Sequence, residues 1–211
     1  MRGLLAIAFL IALVGAGAAT AGRGDPQERL TRVDQARAKS IVLQQRHLPA
    51  GFRALPATGG DDDYYCRALD ESDLTLTGET TREFVRAAVG IGSVAQIYES
   101  LADANASWRR GTSRAGQRCI ADLYRRALMR QGVRDVTFAR LAFPRLAQRS
   151  VAFRLTGFVR GIPAFFDLVV LQHARAHAGL LMTSALQPVL RAEQIRLARL
   201  VASRMAKAMR R

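Results

Sequence analysis

Hydrophobic and polar positions alternate most regularly between Ser150 and Thr183 (SVAFRLTGFVRGIPAFFDLVVLQHARAHAGLLMT). Val151, Phe153 and Leu155 fall on one side while Ala152, Arg154 and Thr156 fall on the other, the period of an antiparallel strand with one buried face. Phe166, Leu168 and Val170 continue that pattern, and Phe165 to Leu171 is apolar on both faces apart from Asp167. The stretch therefore predicts three successive strands at the centre of a sheet. Further strands are expected around Phe52 to Leu55, from Leu74 to Gly78, from Gly90 to Tyr98, and from Val133 to Phe143 before Pro144. Glu83 to Ala87 either extends the second of these or begins its partner.

The remaining periodicity is helical. Asp25, Pro26 and Glu28 have the types and spacing of a capping box, which predicts a helix from Pro26 to about Gln45, ended by Pro49 and Gly51. Ser100 is an N-cap candidate for a helix to about Trp108. Ile120, Leu123, Tyr124, Ala127 and Leu128 recur at helical spacing after Cys119, and Gly132 closes that helix. Leu190, Leu197, Val201, Met205 and Ala208 share one side of a last helix, with Arg196, Arg199, Lys207 and Arg210 on the other. Strands need a cover, so this helix is expected to pack over them. The fold class read from these elements is α+β: an antiparallel β-sheet with helices packed on it.

Residues 1–21 have the layout of a secretory signal, with Arg2, an apolar run from Leu4 to Val14, and small residues ending in Ala19-Thr20-Ala21. Cleavage is expected after Ala21, with Ala18 as the alternative. The run is shorter than the about 20 strongly apolar residues a bilayer-spanning helix needs, and no cysteine follows it for lipid attachment. The expected organisation is a leader over 1–21, an N-terminal helix over 22–48 and one α+β domain over 49–211. Export to the cell envelope or beyond suits Cys66 and Cys119, the two cysteines of the chain, which an oxidising compartment pairs. A bridge closing a loop of this length contributes about 4 kcal/mol in the chain-entropy picture.

Charge sharpens the picture. Gly22 to Ser107 carries 10 basic and 13 acidic side chains, while Trp108 to Arg211 carries 21 basic and 4 acidic. The chain is electrically polarised. Lys39 and Lys207 are its only lysines, so the arginines reflect compositional bias as much as function, and nucleic acid is not the expected partner. Ordinary solvated arginines on helix and strand surfaces are the expected reading, with attraction to an anionic envelope polymer or a phospholipid surface as the functional alternative.

Candidate chemistry is sparse. Asp61-Asp62-Asp63 could hold calcium, but calcium loops place their ligands at alternate positions, so a solvated loop is expected. The glycine pair Gly90 and Gly92 lacks the rest of a phosphate-loop motif. Trp108 beside the basic segment Arg109 to Gly116, read as a loop, combines residues used for stacking, although a lone tryptophan more often anchors a core. Asp167 is either a perturbed acid or the partner of a cross-strand arginine such as Arg154. His173 and His177 flank a hairpin turn, where their spacing keeps the rings apart. With no nucleophile elbow, zinc-binding helix motif or paired carboxylates, no catalytic residue, metal or cofactor is expected. The competing reading is a hydrolase working through Asp167 or a histidine such as His47. A third is a basic adhesin-like or chaperone-like protein. A ligand is expected at the irregular acidic loop or the Trp108 loop rather than on the strands.

The sequence also carries Leu48-Pro49-Ala50-Gly51-Phe52, Cys66, Leu74-Thr75-Leu76-Thr77-Gly78, Cys119 near a helix start, Arg149-Ser150-Val151-Ala152-Phe153-Arg154-Leu155 and Phe166-Asp167-Leu168-Val169-Val170-Leu171. In this order they resemble a group of exported actinobacterial proteins that includes the extracellular sensor-like domain of some transmembrane Ser/Thr kinases. The resemblance spans Ile41 to Met209. It implies an α+β sandwich and a cleft for an envelope molecule, hence a secreted, non-enzymatic binding module for a lipid or anionic polymer. The sequence departs from the kinase pattern in having no kinase segment and one possible disulfide where those domains have two.

Overall fold

The computed structural model describes residues 24–56 and 65–210; the expected leader and the Asp61-Asp62-Asp63 run lie outside the described residues. In chain order the elements are β1 (Gln27–Glu28), α1 (Arg32–Ile41), β2 (Arg53–Leu55), β3 (Thr75–Arg86), β4 (Val89–Tyr98), α2 (Leu101–Thr112), α3 (Arg114–Arg130), β5 (Val133–Leu141), β6 (Arg149–Val159), β7 (Ile162–His173), β8 (Ala176–Ala185) and α4 (Arg191–Ala208), with single 3₁₀ turns at Gln45–His47 and Arg67–Leu69. The strands form one eight-stranded sheet in the order β1-β3-β4-β8-β7-β6-β5, with β2 also pairing β3. Every pairing is antiparallel except the short β1–β3 bridge. Ser150 to Thr183 does supply three consecutive strands, and Glu83 to Arg86 extends β3 rather than starting a partner.

The N-terminal helix begins later than its capping signal. Gln27, Arg29 and Thr31 donate their backbone N–H groups to the carbonyls of Leu74, Leu76 and Thr77, so the residues expected to cap and open a helix lie along the sheet edge instead. Thr31 caps α1, its hydroxyl accepting from the Asp34 N–H at 3.1 Å. The helix ends at Ile41 rather than near Gln45, and it belongs to the main core.

α1 and α4 cover one side of the sheet. Ala38, Ile41, Leu197, Val201 and Met205 meet Ile91, Ile97, Leu171, Leu180 and Met182 there, all fully or almost fully buried. Leu190, expected on the buried stripe of α4, precedes the helix and is exposed. α2 and α3 cover the other side, where Leu128 and Tyr124 pack against Leu155, Phe166 and Leu181.

An ion pair between the half-buried Arg175 and the buried Asp34 fixes α1 to the β7–β8 turn. Arg175 donates to Asp34 Oδ1 at 2.8 Å and Oδ2 at 2.9 Å, and to the Tyr98 carbonyl at 2.6 Å. Thr77 and Arg37 also donate to Asp34, at 2.6 and 2.9 Å. Burial pushes this carboxyl up, but the hydrogen bonds from Arg175, Thr77 and Arg37 outweigh it and hold Asp34 at about 2. The register shift between Leu76 and Gly78 turns Thr77 toward this carboxylate. At Gly78 a Cβ would collide with the Asp34 backbone, so glycine lets the helix sit directly on the strand.

Candidate functional site

Antiparallel registers define rows of side chains across the α2/α3 side. One row reads Glu79, Gln96, His177, Gln172 and Arg149, one residue from each of β3, β4, β8, β7 and β6. It is polar throughout. Gln96 Nε2 donates to Glu79 Oε1 at 2.9 Å, Arg149 donates to Gln172 Oε1 at 3.1 Å, and Gln172 Nε2 donates to Asn105 Oδ1 of α2 at 3.0 Å. The next row is Thr81, Val94, Gly179 and Val170, and the one after it Glu83, Gly92, Leu181 and Leu168. Gly179 and Gly92 hold consecutive rows without side chains.

Glu83 is 2 % exposed, and its Oε1 has no hydrogen-bond partner among the described residues. Burial pushes its carboxyl up from the ordinary range. Glu79 is pushed up by burial despite the Gln96 bond, and Glu71 likewise despite hydrogen bonds from Ser107 and Tyr98. The Tyr98 hydroxyl donates to Glu71 Oε2 at 3.0 Å and shares a 2.8 Å bond with Ser107; burial, together with the Glu71 charge, raises this phenol well above its usual value. His177 lies edge-on to Tyr98 and Trp108, with ring centroids 5.0 and 5.9 Å away. Its Nε2 is buried without a partner among the described residues, and burial holds the ring neutral down to about 4 despite a hydrogen bond with the Ala104 backbone. Three carboxyl groups raised by burial and a neutral imidazole thus lie on this side of the sheet.

The residues singled out from sequence are not gathered here as a set. Asp167 lies on the opposite side, 1 % exposed, where Arg154 donates to its two oxygens at 2.6 and 3.0 Å and Gln194 of α4 donates at 2.8 Å. The cross-strand arginine is its partner. His173 and His177 sit on adjacent strands but on opposite sides of the sheet, since His173 pairs with Ala176 and His177 with Gln172. His47 lies beside α4, next to Arg204. Among the described residues no group of three or more His, Cys, Asp or Glu is arranged to hold a metal ion.

The expected basic loop from Arg109 to Gly116 is helical. α2 continues to Thr112 and α3 starts at Arg114, with Ser113 as the hinge between them, its hydroxyl accepting from the Gly116 N–H at 2.9 Å. Arg110 is committed to Asp73 through two bonds of 2.6 and 2.7 Å, and Trp108 points to His177 rather than outward. Cys119 lies inside α3 rather than at its start. It is bonded to Cys66 with Cα atoms 6.2 Å apart, which ties α3 to the segment leading into Glu71. Sequence reasoning missed Glu79, Glu83 and Glu71. The one available signal was that carboxylates four apart on β3 share a face.

No family model matches the chain, and no curated protein matches it in sequence. Among solved structures, the fold is similar to the extracellular domain of PknH from Mycobacterium tuberculosis, with a TM-score of 0.52, 7% identity, and coverage of 84% of this chain and 97% of that one. The likeness is one of fold.

Proposed function

We propose that the protein is a secreted, non-enzymatic, sensor-like module of the cell envelope whose ligand occupies the α2/α3 side of the sheet. The single observation that carries this reading is Glu83. A buried carboxyl oxygen without a donor costs about 1–3 kcal/mol, and a ligand that brings a hydroxyl or ammonium group removes that cost. Of the two ligand characters expected from sequence, an apolar one suits this side, because Val94, Val170, Leu168 and Leu181 share it and an anion would meet Glu79 and Glu83. The disulfide and the likeness to an extracellular domain favour an extracytoplasmic location.

The experiment is native mass spectrometry and thermal-shift screening of the protein against envelope lipids and glycolipids bearing free hydroxyl or amine groups. Saturable binding that Glu83→Gln weakens at least fivefold, with unchanged thermal stability of the free protein or a gain in it, supports the reading. Binding indifferent to Glu83→Gln, or no saturable binding across the set, overturns it.

A further inference from the structure

A second surface, on the far side of the sheet, has the opposite chemistry. α1 and α4 leave between them a groove of about 550 Å³ lined by Val33, Ala36, Arg37, Ser40, Arg204, Lys207 and Ala208. The first four recur at i, i+3, i+4 and i+7, one stripe of α1. Three cations and, among the described residues, no carboxylate line the groove. Arg37 is partly neutralised by Asp34 at 2.9 Å, whereas Lys207 makes no hydrogen bond or ion pair among the described residues. The apolar end is open: Val33, which lines the groove, is 61% exposed, and Leu30, outside the lining and just ahead of the helix, is 48% exposed.

Hydrogen-bond polarity at the end of the groove points to a missing acceptor. The Gln44 backbone N–H donates to His47 Nδ1 at 3.0 Å, so the neutral ring carries its proton on Nε2. That Nε2 lies 3.3 Å from Arg204 NH1, which is also a donor. Two N–H groups therefore face one another. Arg204 is held in place by its bond to the Ile41 carbonyl at 3.1 Å. Besides Arg204, Arg46 and Arg196 bear on the ring; burial first, then these three charges, pushes His47 below its ordinary value. Of the carboxylates in this region, Glu193 is already committed to Arg196 at 2.7 Å. An anionic oxygen placed between Arg204 and His47 would accept from both.

We infer that the α1–α4 groove docks the protein on an anionic phospholipid bilayer, with a lipid phosphate between Arg204, His47 and Lys207 and with Val33 and Leu30 against the glycerol and upper acyl region. The open apolar end decides for a lipid over a soluble acidic polymer, since a polymer gains nothing from Val33 and Leu30, whereas an amphipathic surface seats in the interface by both contributions.

The full-length mature protein is tested by co-sedimentation with vesicles of phosphatidylcholine alone and of phosphatidylcholine with 30 mol % phosphatidylglycerol. Binding is expected only to the second. Lys207→Glu lowers the partition coefficient about tenfold or more, and Val33→Asp lowers it severalfold. Both positions are solvent-facing, and circular dichroism confirms that the variants remain folded. Arg118→Glu on α3, with the same change in net charge, leaves partitioning within about twofold. NMR titration with a short-chain phosphatidylglycerol raises the pKa of His47, because the phosphate stabilises its charged form. Equal binding to both vesicle types, an equal loss for Lys207→Glu and Arg118→Glu, or undiminished binding by Val33→Asp together with displacement by polyphosphate would each overturn the proposal, the last in favour of a soluble polyanion.

Discussion

The two sides of one sheet have been built to different standards. Under α1 and α4, the row Arg82, Ser93, Leu180, Val169 and Ala152 has polar groups only at its β3–β4 end, and Ser93 there accepts from the Leu43 N–H at 3.1 Å. Asp34 and Asp167, the charged groups buried on this side, each meet an arginine through both carboxylate oxygens. On the side of α2 and α3, Glu83 and His177 keep buried atoms without partners among the described residues. The difference teaches where the polar groups of the sheet have been settled and where they have not: satisfied ones specify the fold, and the ligand proposed above would meet the unsatisfied ones.

The comparison is broken most forcefully by opening the satisfied side. Arg175→Ala leaves Asp34 buried without its main partner, and urea unfolding should show a loss of about 3–5 kcal/mol. Leu197→Ala in the apolar layer should cost about 3 kcal/mol by the same measurement. Losses under 1 kcal/mol for both would mean that this side is not the structural one.

The other side should respond to pH before it responds to truncation. His177 has its pKa depressed to about 4, so the unfolded chain takes up a proton first as pH falls. Stability is then lost from about pH 6.5 toward 4, by up to about 1.4 kcal/mol per pH unit. His177→Asn should flatten that window specifically, while the Asp34 contribution disappears only below the ordinary aspartate range. Smallest in size, Glu83→Gln should stabilise the free protein by about 1 kcal/mol at pH 7. A raised folded-state pKa favours the protonated form, so this gain should vanish as pH falls below the ordinary glutamate range. A Glu83→Gln protein that is destabilised at pH 7 would instead make the carboxylate a structural group.

Much of the fold was legible because its strands alternate cleanly. Val151, Phe153 and Leu155 reveal β6 without help, and the apolar spacing of Leu197, Val201 and Met205 reveals the covered stripe of α4. Long-range pairings defeated the rest. Asp25-Pro26-Gln27-Glu28 is a sound helix start in isolation, but edge pairing with β3 competes for the same backbone and wins. Gly116 reads as a loop residue, yet it serves close approach: a Cβ there would collide with the Arg110 carbonyl, so glycine permits the tight junction of α2 and α3. Asp34 and Arg175 lie 141 positions apart, beyond any local pattern. Glu79 and Glu83 alternate with Thr80 and Arg82 as a solvated strand face would, yet Glu83 is buried, which the alternation alone does not reveal. The acid–arginine pairing of Asp167 was readable as a choice between strands, whereas the donor conflict at His47 needed coordinates.

The outer edge of β3 has a consequence for life at high concentration. β1 occupies it at Thr75 and Leu76 and β2 at Glu83 to Val85, so among the described residues the unpaired backbone is confined to the interval 78–82, which carries Glu79 and Arg82. At the opposite edge, β5 is interrupted by an irregularity between Arg134 and Thr137, with Asp135 at a φ of 53°. Neither margin offers another chain a long, flat, uncharged template. Among the described residues, a ninth strand would therefore find only short or charged stretches of margin to pair with, and the tethered segments β1 and β2 already occupy most of the N-terminal one.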